Sequence, residues 1–183
     1  MPFQINVTLS ESDYLFFNIF HSLESTQGKK QSRNGRIIFL CFSILLIALV
    51  VIILGWTPFS VTYLILLGLF VAVYLLLFKK IAKHNLSSQI KKLKKAGKLP
   101  FDAIAQLTFH EDRIEERTDA THIEQNYSVL ERVCIIKNRY IYLYTSSVQA
   151  YILPIPQLCV QCDQDAFIRF LSAKCNTIEY YQL

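Results

Sequence analysis

The sequence predicts a membrane α+β protein, in which a two-helix transmembrane hairpin is joined to a small cytosolic antiparallel sheet with a C-terminal helix. Three observations predict it. Two charge-free apolar runs, Ile37 to Leu54 and Val61 to Phe78, stand close together in a chain of 183 residues. Lysine and arginine crowd both outer flanks of that pair. After Phe101 the chain changes to short alternating stretches separated by polar turns, and it closes on an amphipathic helical pattern.

The N-terminal segment, residues 1–28, reads as a strand and a helix. Phe3, Ile5, Val7 and Leu9 alternate with polar residues, the period of a half-buried strand. Ser10-Glu-Ser-Asp13 then supplies a helix start. Leu15, Phe16, Ile19, Phe20 and Leu23 follow at helical spacing, which predicts an amphipathic helix over 11–24. Its apolar face needs a cover, either the cytosolic domain or the bilayer surface. Acids and the lack of lysine favour the domain, because surface-binding helices carry a basic polar face. The strand is expected to pair with the cytosolic sheet, joining the two soluble segments across the hairpin.

The hairpin spans 37–78, with helices over 37–54 and 61–78. Each run rises about 27 Å at about 1.5 Å per residue, against a hydrocarbon core of about 30 Å. Lys29, Lys30, Arg33 and Arg36 precede the first run, and no acid lies between Gln27 and Lys98. The link Gly55-Trp-Thr-Pro-Phe-Ser60 is uncharged. Positive charge resists translocation, so both termini are expected in the cytosol. The first run starts too late for a secretory signal and is read as an uncleaved anchor. Trp56 and Tyr63 suit the outer interface. Gly68 and Ala72 form a small-xxx-small pair, a packing site for a membrane-protein partner or a second copy of the chain. No ionisable side chain lies inside either run, which argues against transport by this chain alone.

Residues 79–98 continue as a basic juxtamembrane helix. Leu86, Ile90 and Leu93 hold helical spacing to about Ala96, and Gly97 and Pro100 mark its end. Lys79, Lys80, Lys83, Lys91, Lys92, Lys94 and Lys95 are candidate contacts for the anionic headgroups of the lipid bilayer. Topology alone would also explain them.

Residues 99–183 read as the cytosolic domain. Strands are expected over 103–109, 113–118, 121–127, 130–137, 140–145 and 148–153, with Asn138-Arg139 as a hairpin-length link. Pro154 and Pro156 end the last of them. Asp163 caps a final helix with Phe167, Phe170, Leu171 and Cys175 on one side. A meander closed by one helix is pleckstrin-homology-like. The net charge of +5 misleads here, because the bases cluster around the hairpin. From Leu99 onward acids outnumber bases, so no nucleic-acid partner is expected. The acidic early loop also argues against phosphoinositide binding. Five cysteines, an odd number in a cytosol-facing chain, argue against a disulfide framework.

Three patterns are candidate sites. Tyr140, Tyr142 and Tyr144 share one strand face, a partner surface if Ile141 and Leu143 face the core. Cross-strand packing explains the same stripe. Cys159-Val-Gln-Cys162 has metal-like or redox-like spacing, but no second pair at ligand spacing accompanies it, so ordinary thiols are expected. His110-Glu-Asp-Arg113 and Glu115-Glu116 carry acid–base side chains that are expected to diverge along turn and strand. No phosphate loop, nucleophile elbow or metal-binding helix motif occurs. No catalytic residue, metal or cofactor is assigned, and the chain is not expected to be an enzyme.

Ser10-Glu-Ser-Asp-Tyr-Leu-Phe-Phe-Asn18, the paired apolar runs, Leu107-Thr-Phe-His-Glu-Asp-Arg-Ile114 and Asn126-Tyr-Ser-Val-Leu-Glu-Arg-Val133 stand in order along the chain. Arg139-Tyr-Ile-Tyr-Leu-Tyr144 and Ala150-Tyr-Ile-Leu-Pro154 follow. Together these motifs resemble the YcxB-like family of bacterial membrane proteins. The chain departs from the family after Pro154, where Ile155, Pro156 and Leu158 replace a basic residue and an aromatic. The resemblance implies a multi-pass protein of the bacterial cytoplasmic (inner) membrane with a pleckstrin-like cytosolic part, and it brings no catalytic residues. The expected role is a membrane-anchored cytosolic interaction or regulatory module. The alternatives are a sensor of anionic lipid or envelope state, and an accessory subunit of a membrane transport assembly.

Overall fold

A computed structural model of the chain describes residues 3–97 and 104–182. The expected stop at Pro100, the change of character at Phe101, Lys98 and the strand start at Ala103 lie outside the described residues. Two compact units are present: Met1–Phe17 with Gly97–Leu183, and Asn18–Ala96.

The first unit contains two four-stranded sheets. In one, the order is β1 (Phe3–Thr8), β2 (Ile104–Phe109), β3 (Arg113–Arg117), β4 (His122–Asn126), all antiparallel. The strand that precedes the apolar runs therefore pairs with the strand that follows them, Phe3 opposite Phe109 and Thr8 opposite Ile104. The second sheet is built on β5 (Arg132–Ile136), β6 (Tyr140–Tyr144) and β7 (Ala150–Pro154). Asn138 turns the β5–β6 hairpin at φ 59°, a conformation that asparagine tolerates.

Two C-terminal helices follow, α4 (Ile155–Gln161) and α5 (Gln164–Lys174), and then β8 (Ile178–Tyr181), which lies parallel to β5. The antiparallel strands and the C-terminal helix α5 are as expected, while α4, the parallel β8 and the division into two sheets correct the single meander with one helix. Pro154 and Pro156 do more than end β7. Pro156 occupies the first turn of α4, where its missing N–H is not needed. β8 is short, and its four residues gave no alternation to read.

Alternation sends Ile5, Val7, Leu107, Phe109 and Ile114 from one sheet toward Val133, Ile135, Ile141, Leu143 and Leu153 of the other, and these side chains form one core. α5 contributes Phe167 and Leu171, both fully buried. Phe167 meets Phe109 edge-on at 4.9 Å and Phe3 at 5.3 Å. Asp163 caps α5 by accepting from the amides of Asp165 and Ala166.

The expected helix over 11–24 is helical throughout, with α1 (Glu11–Ile19) as its α-helical part. A π-type turn, Phe20–Glu24, follows it, and Ser25 is extended. α2 (Thr26–Leu54) then starts well before the apolar run, so Lys29, Lys30, Arg33 and Arg36 ride on its first turns rather than on a loop. The side chain of Ser25 accepts from Gly28 N at 3.0 Å and donates to His21 O at 2.7 Å. Gly28 is required at this restart, since a Cβ there would stand 2.2 Å from the His21 carbonyl oxygen.

α3 (Pro58–Lys95) is continuous through the basic segment, about 57 Å long at about 1.5 Å per residue. Thr57 and Ser60 form a reciprocal capping box at its start, and Gly97 takes φ 66° just beyond its end. Within this second unit Phe39 and Tyr74 pack at 4.3 Å, and the Arg36 guanidinium lies over the Phe78 ring. Both helices are long and apolar enough to cross a membrane, and almost none of either apolar stretch is buried.

Candidate functional site

Three places on the first unit carry chemistry. The first is the tyrosine strand. Ile141 and Leu143 do face the core, but the opposite side of β6 is not open surface. α1 covers it. Tyr140 donates its hydroxyl to Asp13 Oδ1 at 2.6 Å and stacks on Phe16 at 5.1 Å. Phe17 meets Tyr142 edge-on at 5.1 Å, and the Arg132 guanidinium sits 4.0 Å above the Tyr144 ring. Tyr142 and Tyr144 are fully buried, which corrects their reading as an exposed partner surface. The apolar face of α1 thus has its cover in the sheet. Burial pushes the Tyr140 phenol up, and donation to Asp13 adds to this. Burial alone would also raise Asp13, yet hydrogen bonds from Ser10 and Tyr140 bring its carboxyl below the usual value.

The second place is the outer face of the β3–β4 hairpin. Strand alternation puts Arg113, Glu115 and Arg117 on one face of β3. Register sets Glu115 opposite Glu124 and Arg117 opposite His122. The side chains converge on Glu115, which corrects the expectation that they diverge. His110 Nε2 lies 3.0 Å from Glu115 Oε2, and His122 Nε2 lies 3.0 Å from Glu115 Oε1. Arg117 Nε also donates to Oε1. Arg113 Nε is 3.3 Å from Glu124 Oε2. The hydrogen bond from His110, with Arg117 beside it, holds the Glu115 carboxyl at about 2. A signal for this cluster was present in the sequence. Centring a hairpin on Asp119-Ala120 places these partners opposite one another.

The third is a cleft of about 600 Å³ lined by inner-face residues of the first sheet and by β7. Val7, Leu107, Ile123 and Ile152 give it apolar walls, and Glu116, Gln125 and Tyr151 give it polar ones. Tyr151 donates to Gln125 Oε1 at 3.1 Å. Burial, with Glu116 nearby, pushes the Tyr151 phenol up to about 12. Its volume falls within the general range of ligand clefts, about 300–1,000 Å³.

Residues 109–171 match the family model described as YcxB-like protein. Over this stretch the chain is similar to that family. No curated protein and no solved structure shows a match. The matched segment runs from the end of β2 through most of α5, so it holds the charged hairpin and the tyrosine strand. β1, α1 and both long helices lie outside it.

The cysteine pair sits inside the YcxB-like segment, Cys159 exposed on α4 and Cys162 at its C-cap. Burial, then Cys159 and Asp163 nearby, raises the Cys162 thiol. Cys134 is buried and pushed up to about 12. The remaining expected site residues lie outside the YcxB-like segment, on α3. Lys79 forms an ion pair with Glu24 at 3.4 Å, so it is engaged within the second unit. Lys80, Lys83, Lys91, Lys92, Lys94 and Lys95 are exposed. Gly68 and Ala72 are also exposed, with open space around Gly68.

Proposed function

We propose that the chain is a membrane-anchored cytosolic interaction or regulatory module of the bacterial cytoplasmic membrane. In this reading α2 and α3 cross the bilayer as a hairpin, and the domain with the YcxB-like segment works in the cytosol. The observation that carries it is the pairing of β1 with β2. These strands flank the two apolar helices in sequence, so their pairing requires both flanks to lie on one side of any membrane the helices cross. Charge supports the cytosolic side. Lys29 stands in the first turn of α2 and opposes its macrodipole, at roughly 0.3–1 kcal/mol for a surface charge near a helix end. A topological role offsets that cost. The layout of two sheets sharing a core with α5 supports the pleckstrin-homology-like reading of the domain.

The function is binding rather than catalysis, and the cleft is the docking place. β4 and β7, whose residues line it, are terminal strands of their sheets. An extended segment of a membrane partner would add to either edge and set side chains against Ile123 and Val148, both exposed. A photo-crosslinking side chain at Val148, in the full chain in native membranes, tests this. A discrete adduct with a second protein, lost when the probe moves to Tyr180 on β8, is expected. Equal labelling from both positions contradicts the cleft as the docking place.

Exposed lysines on α3 favour a second reading, a sensor of anionic lipid. Each would add about 1 kcal/mol near an anionic surface. Exposed Gly68 and Ala72 would serve a third, an accessory subunit whose α3 packs on a partner span.

A further inference from the structure

We propose that Glu115, His122 and Glu124 form a binding site for a divalent transition cation, zinc being the type case, on the outer face of the β3–β4 hairpin. The ligand atoms are already gathered. Glu115 Oε1 and Glu124 Oε1 lie 3.0 and 3.7 Å from His122 Nε2, and one donor atom from each residue falls within 4.8 Å of the others. A tetrahedral ion with bonds of about 2.0–2.2 Å holds its donors roughly 3.3–3.6 Å apart. The two separations from His122 bracket that spacing, and the third is within 4.8 Å, so rotation of the exposed His122 and Glu124 side chains would close the site. His122 and Glu124 are each about half exposed, 50% and 49%, and have the freedom to move.

The remaining oxygens are oriented from outside. His110 Nε2 is hydrogen-bonded to Glu115 Oε2 and the Arg113 guanidinium lies 3.3 Å from Glu124 Oε2, while the two Oε1 atoms face His122 Nε2. Such outer contacts orient metal ligands in known sites. An imidazole with two carboxylates selects a borderline ion over calcium or magnesium, which take all-oxygen sets. Arg117 donates to Glu115 Oε1 and so holds the position the ion would take. Its side chain is 61% exposed and can leave into water. It is a resident cation that a metal displaces. The site would clamp β4, which forms one wall of the cleft, yet it stands on geometry independent of the proposed docking.

The test is titration of the reduced full chain in detergent with Co²⁺, read by optical absorption, and with Zn²⁺, read by calorimetry. One equivalent is expected to bind without a thiolate charge-transfer band. His122→Asn and Glu124→Gln, both at exposed positions, should each weaken it by at least about tenfold. Arg117→Gln should tighten it, and replacing Cys159 and Cys162 by serine should leave it unchanged. Absence of binding, a thiolate band that disappears with the cysteines, or affinity unaltered by His122→Asn in a protein with wild-type circular dichroism would each overturn the proposal.

Discussion

Gln161 pairs with Asn6 as a neighbouring strand would. Its Oε1 accepts from Asn6 N at 2.7 Å, and its Nε2 donates to Asn6 O at 2.9 Å. One helical turn earlier, Gln157 repeats the arrangement with Thr8, at 2.9 and 2.8 Å. β1 is a terminal strand, and α4 covers its outer edge with two amides. Uncovered edges invite pairing between chains.

Replacing Gln157 and Gln161 together by alanine should therefore cost about 2 kcal/mol, taking each exposed amide pair as worth about 1 kcal/mol. Self-association should increase as well. Thermal unfolding in detergent and light scattering would read both. An unchanged midpoint with unchanged scattering would show that the amides are ornamental.

Gly28→Ala should destabilise the restart of the helix at Ser25. Alanine would ordinarily gain about 1 kcal/mol over glycine in a helix. Here the added Cβ meets the His21 carbonyl at 2.2 Å, backbone that cannot yield cheaply. A net loss of about 1–3 kcal/mol is expected, as for other overpacked sites. Gly35→Ala, with open space around it, is the control and should be neutral or stabilising.

Glu115 should give the fold an acid-sensitive component. Its carboxyl is held at about 2, below an ordinary 4.5, so the folded chain binds this proton less readily than the unfolded chain. The stability it contributes is complete above about 4.5 and is lost as pH falls toward about 2. Denaturation midpoints measured across that window should fall more steeply in the wild type than in Glu115→Gln. Parallel slopes would mean that the His110 and Arg117 contacts are not maintained in solution.

The periodic elements were legible in the sequence because each has one buried face. Phe3, Ile5, Val7 and Leu9 announced β1, and Asp163 with Phe167 and Leu171 announced α5. The continuous α3 followed from the absence of any breaker before Gly97. What escaped depends on register or on backbone contact. The convergence on Glu115 escapes local reading, because His122 lies across the hairpin and His110 follows the end of β2. Tyr142 and Tyr144 looked like a surface, because alternation reports only that a strand has two faces. It does not report that Phe16 and Phe17 cover the second. α4 was hidden by prolines that end a strand and open a helix equally well. β8 pairs in parallel with β5, a long-range choice that no local pattern encodes.

If the two helices cross the membrane as proposed, the domain assembled from both sides of the hairpin sits in the cytosol and the Gly55–Thr57 link faces outward. Cysteine labelling with an impermeant maleimide in sealed right-side-out and inverted vesicles tests it most directly. The exposed native Cys159 reports the domain, and Trp56→Cys in a background with Cys41, Cys159 and Cys162 replaced by serine reports the link. Labelling of Cys159 is expected only in inverted vesicles and of Trp56→Cys only in right-side-out ones. Labelling of both positions from the same side would contradict it.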